Sequence, residues 1–221
     1  MGKHHAVMSI RTTRRTSLLQ AAVLQHGGEE ASVWLREAGA HVAAPVAEEA
    51  QAVRLAQDIH HELNDFGSPT WIGVSWGPAP EVRRALETTD GIADLALALR
   101  LAPGTYRLDD LAVEYAAYRT PTVADRLVTL IQPVVARPLL QQTLEALIAA
   151  DGNRSRAAER LFIHRSTIDY RLRTIGELTG LPPSGLRGLQ TLSTALALHT
   201  LDGTGRGESS APADDIWEAT T

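Results

Sequence analysis

The stretch that most constrains this chain is Asp151 to Gly180, DGNRSRAAERLFIHRSTIDYRLRTIGELTG. It reads as two helices joined by a tight turn. Ser155 is placed to cap the first helix, because its hydroxyl accepts a backbone N–H that a helix start leaves orphaned. Ala157 and Ala158 are small enough to let two helices cross closely, and Leu161 and Ile163 anchor the turn. A second helix from about Arg165 buries Ile168, Leu172 and Ile175, which recur at helical spacing. At about 100° per residue, its opposite face carries Ser166, Asp169, Tyr170 and Arg173. It opens with His164, Arg165, Ser166 and Thr167, where backbone N–H groups and the positive dipole end favour a phosphate. An amphipathic pair with solvated arginines inside a bundle has the same periodicity. The short first helix, the tight turn and the polar cluster favour a helix-turn-helix, which lays its second helix in the major groove of DNA.

The order of residues carries more than the periodicity does. Asp151-Gly152-Asn153, Ser155-Arg156-Ala157-Ala158, Leu161, His164-Arg165-Ser166-Thr167, Tyr170-Arg171-Leu172, Ile175 and Glu177-Leu178-Thr179-Gly180 follow one another at fixed spacing. This pattern resembles Fis-type helix-turn-helices. More closely, it resembles the C-terminal DNA-binding domain of PucR/CdaR-type transcriptional regulators, over roughly residues 137 to 201. The resemblance implies a double-stranded DNA operator as partner. It implies DNA contacts from Ser155, Arg156, His164, Arg165, Ser166, Thr167, Asp169, Tyr170 and Arg173. One position departs from that family's pattern, and one from helix-turn-helix units in general. That family often has Asn where Ser166 stands, and Ser reads bases less discriminately. Phe162 stands in the turn, where many such units have Gly and where positive φ is costly for a bulky residue.

Composition bounds the rest. The 221 residues suit one or two domains, and 44% hydrophobic content can fill a core. With no Cys there is no disulfide framework, thiolate metal site or thiol nucleophile. No apolar run approaches the ~20 residues of a membrane span, and the start MGKHHAVMSIRTTRRTS has no apolar signal core. A cytoplasmic protein without membrane contact is the expectation. The net charge of −5 argues against indiscriminate nucleic-acid binding. The charge is uneven, however: six Arg face four acids over 151–180, and the tail from Asp202 holds five acids against Arg206. A basic module on an acidic body is compatible with operator binding.

Along the chain, residues 1–16 show no periodic apolar positions and read as a disordered tail, with Arg11, Arg14 and Arg15 solvated. A helical pattern from Thr16-Ser17 to Gln25 ends at Gly27-Gly28. A strand, a turn at Ala38-Gly39 and a second strand from His41 to Val46 follow. A helix from Ala47 to Leu63, a strand from Thr70 to Ser75 and a helix from Pro80 to about Leu101, weakened at Asp90-Gly91, come next. A short strand, Tyr106 to Leu108, leads to a helix from Asp110 to Tyr118 capped by Asp109. The fold class is α+β over 17–118, followed by an all-α helix-turn-helix bundle over 137–201. Residues 119–136 read as a linker helix. Its stripe Val123, Leu127, Leu130 and Ile131 has two outlets, a second copy in a homodimer or the chain's own bundle. Residues 202–221 read as a disordered acidic tail.

For the first half, the family resemblance implies a degenerate cyclase-like (GGDEF-like) domain. GAHVAAPV, a helix, WIGVS, a long helix and GTYRLDDL resemble its later part. Its first strand and helices are expected to be missing or incomplete, which makes the domain partial. The turn Glu37-Ala38-Gly39-Ala40-His41 lacks the acidic pair of an active cyclase, so no catalysis is expected.

Other chemistry is weighed and set aside. His4-His5 fall in the expected tail, and His60-His61 point about 100° apart on a helix, so no metal or cofactor is expected. Asp109-Asp110 suit capping better than acid–base work. No phosphate-binding glycine loop is present. Gly73-Val74-Ser75-Trp76-Gly77 has the spacing of a nucleophile elbow. Its only later histidines, His164 and His199, fall in the helical bundle, which rules against a hydrolase. The reading is a regulator with an unidentified small-molecule effector. The alternative is a helical dimerisation or interaction module that does not bind DNA.

Overall fold

The computed structural model describes residues 4–12 and 17–203. They divide into two compact units, 4–97 with 101–115, and 116–203 with 98–100.

The first unit contains β1 (His4–Thr12), α1 (Ser17–Gly27), β2 (Ser32–Arg36), β3 (Gly39–Pro45), α2 (Glu49–Asp65), β4 (Thr70–Pro78), α3 (Val82–Ala98), β5 (Gly104–Tyr106) and α4 (Ala112–Arg119). The last of these crosses into the second unit. The described strands form one sheet in the order β2-β3-β1-β4-β5. Its first four strands are antiparallel, and β5 runs parallel to β4. From β1 to β4 this is a β-α-β-β-α-β split unit of the ferredoxin-like kind.

The expected disordered tail is therefore wrong for His4–Thr12, which form the central strand. Its alternation is hidden because both faces are covered. Ala6, Met8 and Ile10 pack on one face with Leu19 and Val23 of α1 and Ala56, Ile59 and Leu63 of α2. Val7 packs on the other with Ala43 and with Val82 and Leu86 of α3. Arg14 and Arg15 lie outside the described residues.

Beside Val7 the face under α3 turns polar. Ser9 and Thr89 share a hydroxyl hydrogen bond of 2.8 Å. Arg11 donates to Asp90 at 2.7 Å and to Asp94 at 2.6 Å, and His41 Nε2 lies 2.8 Å from the same Asp90 oxygen. Burial alone would raise the Asp90 carboxyl. The hydrogen bond from His41 and the Arg11 charge outweigh it and hold the group down at about 2. Arg11 is thus a part-buried ion-pair partner rather than a solvated cation. Asp90 does not weaken α3 either, since the helix runs unbroken and its carboxylate faces these donors. Helix and sheet meet so closely that a Cβ on Gly73 would lie 2.2 Å from the Thr89 carbonyl oxygen. That contact accounts for the first glycine of the elbow-like motif. Ser75 sits inside β4, opposite Val7, and not at a strand-to-helix turn.

The junction to α4 differs in one residue from expectation. Asp110, not Asp109, accepts the Arg107 backbone N–H at 2.8 Å, while Asp109 faces the Arg107 guanidinium at 3.8 Å.

The second unit contains α5 (Pro121–Val135), α6 (Pro138–Ile148), α7 (Arg154–Arg160), α8 (Arg165–Thr179) and α9 (Leu186–Gly203). Ile131, Val134, Leu144, Leu147, Ile168, Ile175 and Leu192 form its core. The segment expected as a linker is an integral helix. Ala124, Val128, Ile131 and Val134 are buried, and α5 packs against α6, α8 and α9. Of the expected stripe, Ile131 is buried and Leu127 packs beside this core, while Val123 is exposed. Thr122, Val123, Arg126, Leu127 and Leu130 line a shallow apolar groove. No helix among the described residues is long and apolar enough to cross a membrane. Of the expected acidic tail, residues 204–221 lie outside the described residues.

Candidate nucleic-acid interface

Helix α6 ends in a left-handed turn through Asp151 (φ +50°) and Gly152 (φ +77°), with the Gly152 N–H donating to the Leu147 carbonyl at 2.9 Å. The turn delivers Asn153 to the start of α7. Its side-chain oxygen accepts the Arg156 N–H at 3.1 Å. The cap is therefore Asn153, not Ser155, which is exposed in the first turn. The sequence contained this signal, since Asn caps as well as Ser and directly follows the turn glycine.

After Leu161 the chain reverses. Phe162 holds φ at +54°, its N–H donates to the Glu159 carbonyl at 3.1 Å, and the Ile163 N–H reaches the Ala158 carbonyl at 3.1 Å. This is a Schellman-type stop with Phe in the position that usually takes Gly. The left-handed geometry of the glycine form is thus kept, at a steric cost of about 1–2 kcal/mol. Two residues on, His164 caps α8. Its Nδ1 accepts the Ser166 N–H at 3.2 Å and lies 2.8 Å from the Ser166 hydroxyl.

Ile168, Leu172, Ile175 and Thr179 are the buried face of α8. At about 100° per residue, Ser166, Tyr170, Arg173 and Glu177 lie opposite them. Ser166 and Arg173 are exposed, and Tyr170 is 65% exposed. Asp169 and Thr167 sit half-buried on the flanks. Asp169 is turned aside, its carboxylate 3.2 Å from the Arg154 guanidinium on α7. Arg154, Asp169, Arg173 and Glu177 line one open groove that runs to Pro182 and Pro183.

The arginines fall into two groups. Arg156 donates to the Ala150 carbonyl at 3.3 Å, and Arg160 to the Ala149 carbonyl at 2.9 Å. Arg171 is half-buried and reaches the Thr143 hydroxyl at 3.3 Å. Arg165 and Arg173 are exposed and engage no hydrogen-bond or ion-pair partner among the described residues. Arg154 was missed in the sequence because its pairing with Asp169 crosses two helices.

Residues 140–198 match the PucR C-terminal helix-turn-helix domain. The segment is a PucR-type helix-turn-helix domain. The match starts at Leu140, inside α6, and reaches into α9. So α6 and α9 belong to the PucR-type domain as its framework, while α7 and α8 present its outward face. No curated protein matches the chain significantly. Among solved structures, a regulator of polyketide synthase expression from Bifidobacterium adolescentis is similar at 19% identity and a TM-score of 0.40. That alignment covers 91% of this chain and 82% of the other.

Elsewhere, no group of three or more His, Asp or Glu among the described residues is placed to hold a metal ion. His4 stacks on Trp76 at 4.5 Å between ring centroids, and His60 Nδ1 lies 2.9 Å from the Thr70 hydroxyl. The Ser75 hydroxyl is buried.

Proposed function

We propose that this chain is a sequence-specific regulator of transcription of PucR/CdaR type, which binds double-stranded DNA through α8. The observation that carries this reading is the outward face of the PucR-type domain. It presents Ser166, Tyr170 and Arg173, with Arg165 at the helix start, and leaves these two cations without a partner among the described residues. A charged face that the fold does not use is available to phosphates. In this reading Arg165 and Arg173 meet the backbone, with His164 and Thr167 beside them. Ser166 and Tyr170 face base edges. Asp169 orients Arg154, and Ser155 and Arg156 flank the backbone at the start of α7.

The first unit serves as a non-catalytic regulatory domain of the cyclase-like kind. The β2–β3 turn at Glu37-Ala38 offers no acidic pair for the Mg²⁺ that nucleotide cyclisation requires. The chain acts as a homodimer on two half-sites, because a single helix-turn-helix buries little DNA-facing surface. The apolar groove on α5 supports that assembly. A small-molecule effector is expected, of unspecified class.

The test is recovery of genomic fragments by the purified full chain, followed by mobility-shift titration of the recovered sites. Retention of a common sequence, competed by itself and not by scrambled duplex, is the expected result. Equal retention of all fragments, or of none, refutes the reading.

A further inference from the structure

Phe162 is 96% exposed, and it holds a left-handed backbone conformation two residues before the cap of α8. Both conditions are unfavourable. An aromatic ring in water forgoes burial, and a β-carbon at positive φ is crowded. Glycine would relieve both at once. The fold does not need the ring, since Leu161 and Ile163 on either side already pack the turn against the core.

We propose that Phe162 is an apolar contact to double-stranded DNA, resting on the deoxyribose and thymine-methyl surface at the edge of the groove that receives α8. This proposal rests on the DNA-binding reading above. Continuity selects DNA over a protein partner. The turn that carries Phe162 leads straight into His164, Arg165 and Ser166, all exposed, and Arg165 is a cation with no partner among the described residues. A ring fixed beside that helix start is carried to the duplex with it. Apolar contact with the thymine methyl is an established use of Phe in major-groove readout. An uncharged contact releases no counterions, so its contribution is independent of salt, unlike that of the neighbouring arginines.

The experiment compares the full chain with Phe162→Gly and Phe162→Asn, both of which accept positive φ. Each is measured by thermal unfolding, and by mobility shift on a recovered fragment at 50 and 200 mM salt. Stability and binding should move in opposite directions. The Tm should rise by a few degrees, while Kd should weaken about 5- to 10-fold by the same factor at both salts. Two results overturn the contact: unchanged affinity in both variants, or affinity that falls together with Tm. Binding that depends on Arg165 and Arg173 but is indifferent to Phe162 defeats this contact alone. A chain that retains no duplex DNA defeats this contact and the regulator reading together.

Discussion

The two unpartnered arginines give the sharpest quantitative expectation. A cation that neutralises one phosphate contributes about 0.9 to the slope of log affinity against log salt. Among the described residues Arg165 and Arg173 have no partner to give up before meeting a phosphate, so each should carry its full share. In a homodimer each substitution removes two cations, so Arg165→Ala should lower the magnitude of the slope by about 1.8, Arg173→Ala by the same, and the double variant by about 3.6. Over a fourfold rise in salt, each substitution makes binding about 12-fold less salt-sensitive. Arg160 is the control. Its guanidinium is held on the Ala149 carbonyl at 2.9 Å, so Arg160→Ala should leave the slope within about 0.3 of the parent value. The assay is mobility-shift titration of one recovered fragment at four salt concentrations, with unfolding measured beside it. If Arg160→Ala flattens the slope while Arg165→Ala and Arg173→Ala do not, the duplex lies against another face. The assignment of α8 then fails.

Three further expectations concern the framework. Asp90 is held at about 2 against an ordinary 3.8, a depressed value. Its contribution, about 2 kcal/mol, is present above pH 4 and lost as pH falls through 2. Asp90→Asn should therefore destabilise the first unit at neutral pH and flatten its acid unfolding curve; an acid limb identical to the parent's would contradict the network. Asn153→Ala should cost the helical unit about 1 kcal/mol, and Ser155→Ala less than about 0.5, in denaturant titration. The reverse order would return the cap to Ser155. Gly73→Ala should cost about 1–3 kcal/mol, because its Cβ meets the Thr89 carbonyl and α3 must lift. An unchanged melting curve would mean that the helix is not pressed on the strand there.

The second unit was largely legible in the sequence. Ile168, Leu172 and Ile175 mark the inner face of α8, and one-sided burial leaves a clear helical period. The polar outer face followed directly, except that Asp169 lies on its flank, paired with Arg154. What resisted reading has a common cause, which is burial from two sides or partners distant in sequence. His4–Thr12 mix two histidines, a serine and an arginine into a short apolar run. Only the arrival of α3 gives Arg11 and Ser9 their partners, about 80 positions later in the chain. Helix α5 reads as a connector because half of its buried face, Ala124 and Val128, is small, while Leu127 and Val123 of the apparent apolar stripe lie at the edge of the core or outside it. Cap choice between Asn153 and Ser155 depended on where the preceding left-handed turn stopped. That is a backbone matter which residue preference alone does not decide.

The position of β1 also bears on how this chain comes to be folded. The earliest of the described strands to be synthesised must wait for residues 39–45 on one side and 70–78 on the other. Its sheet therefore closes only after most of the unit has been synthesised, a high-contact-order assembly that folds slowly. The five helices from α5 to α9 lie consecutively along the chain and can assemble on their own contacts soon after they emerge. Until β1 docks, β3 and β4 each expose an inner edge of unpaired N–H and C=O groups, a template for pairing between nascent chains. Shortening the N-terminus past Thr12 would make that vulnerable interval permanent. The resulting protein should retain a well-ordered helical half and still precipitate.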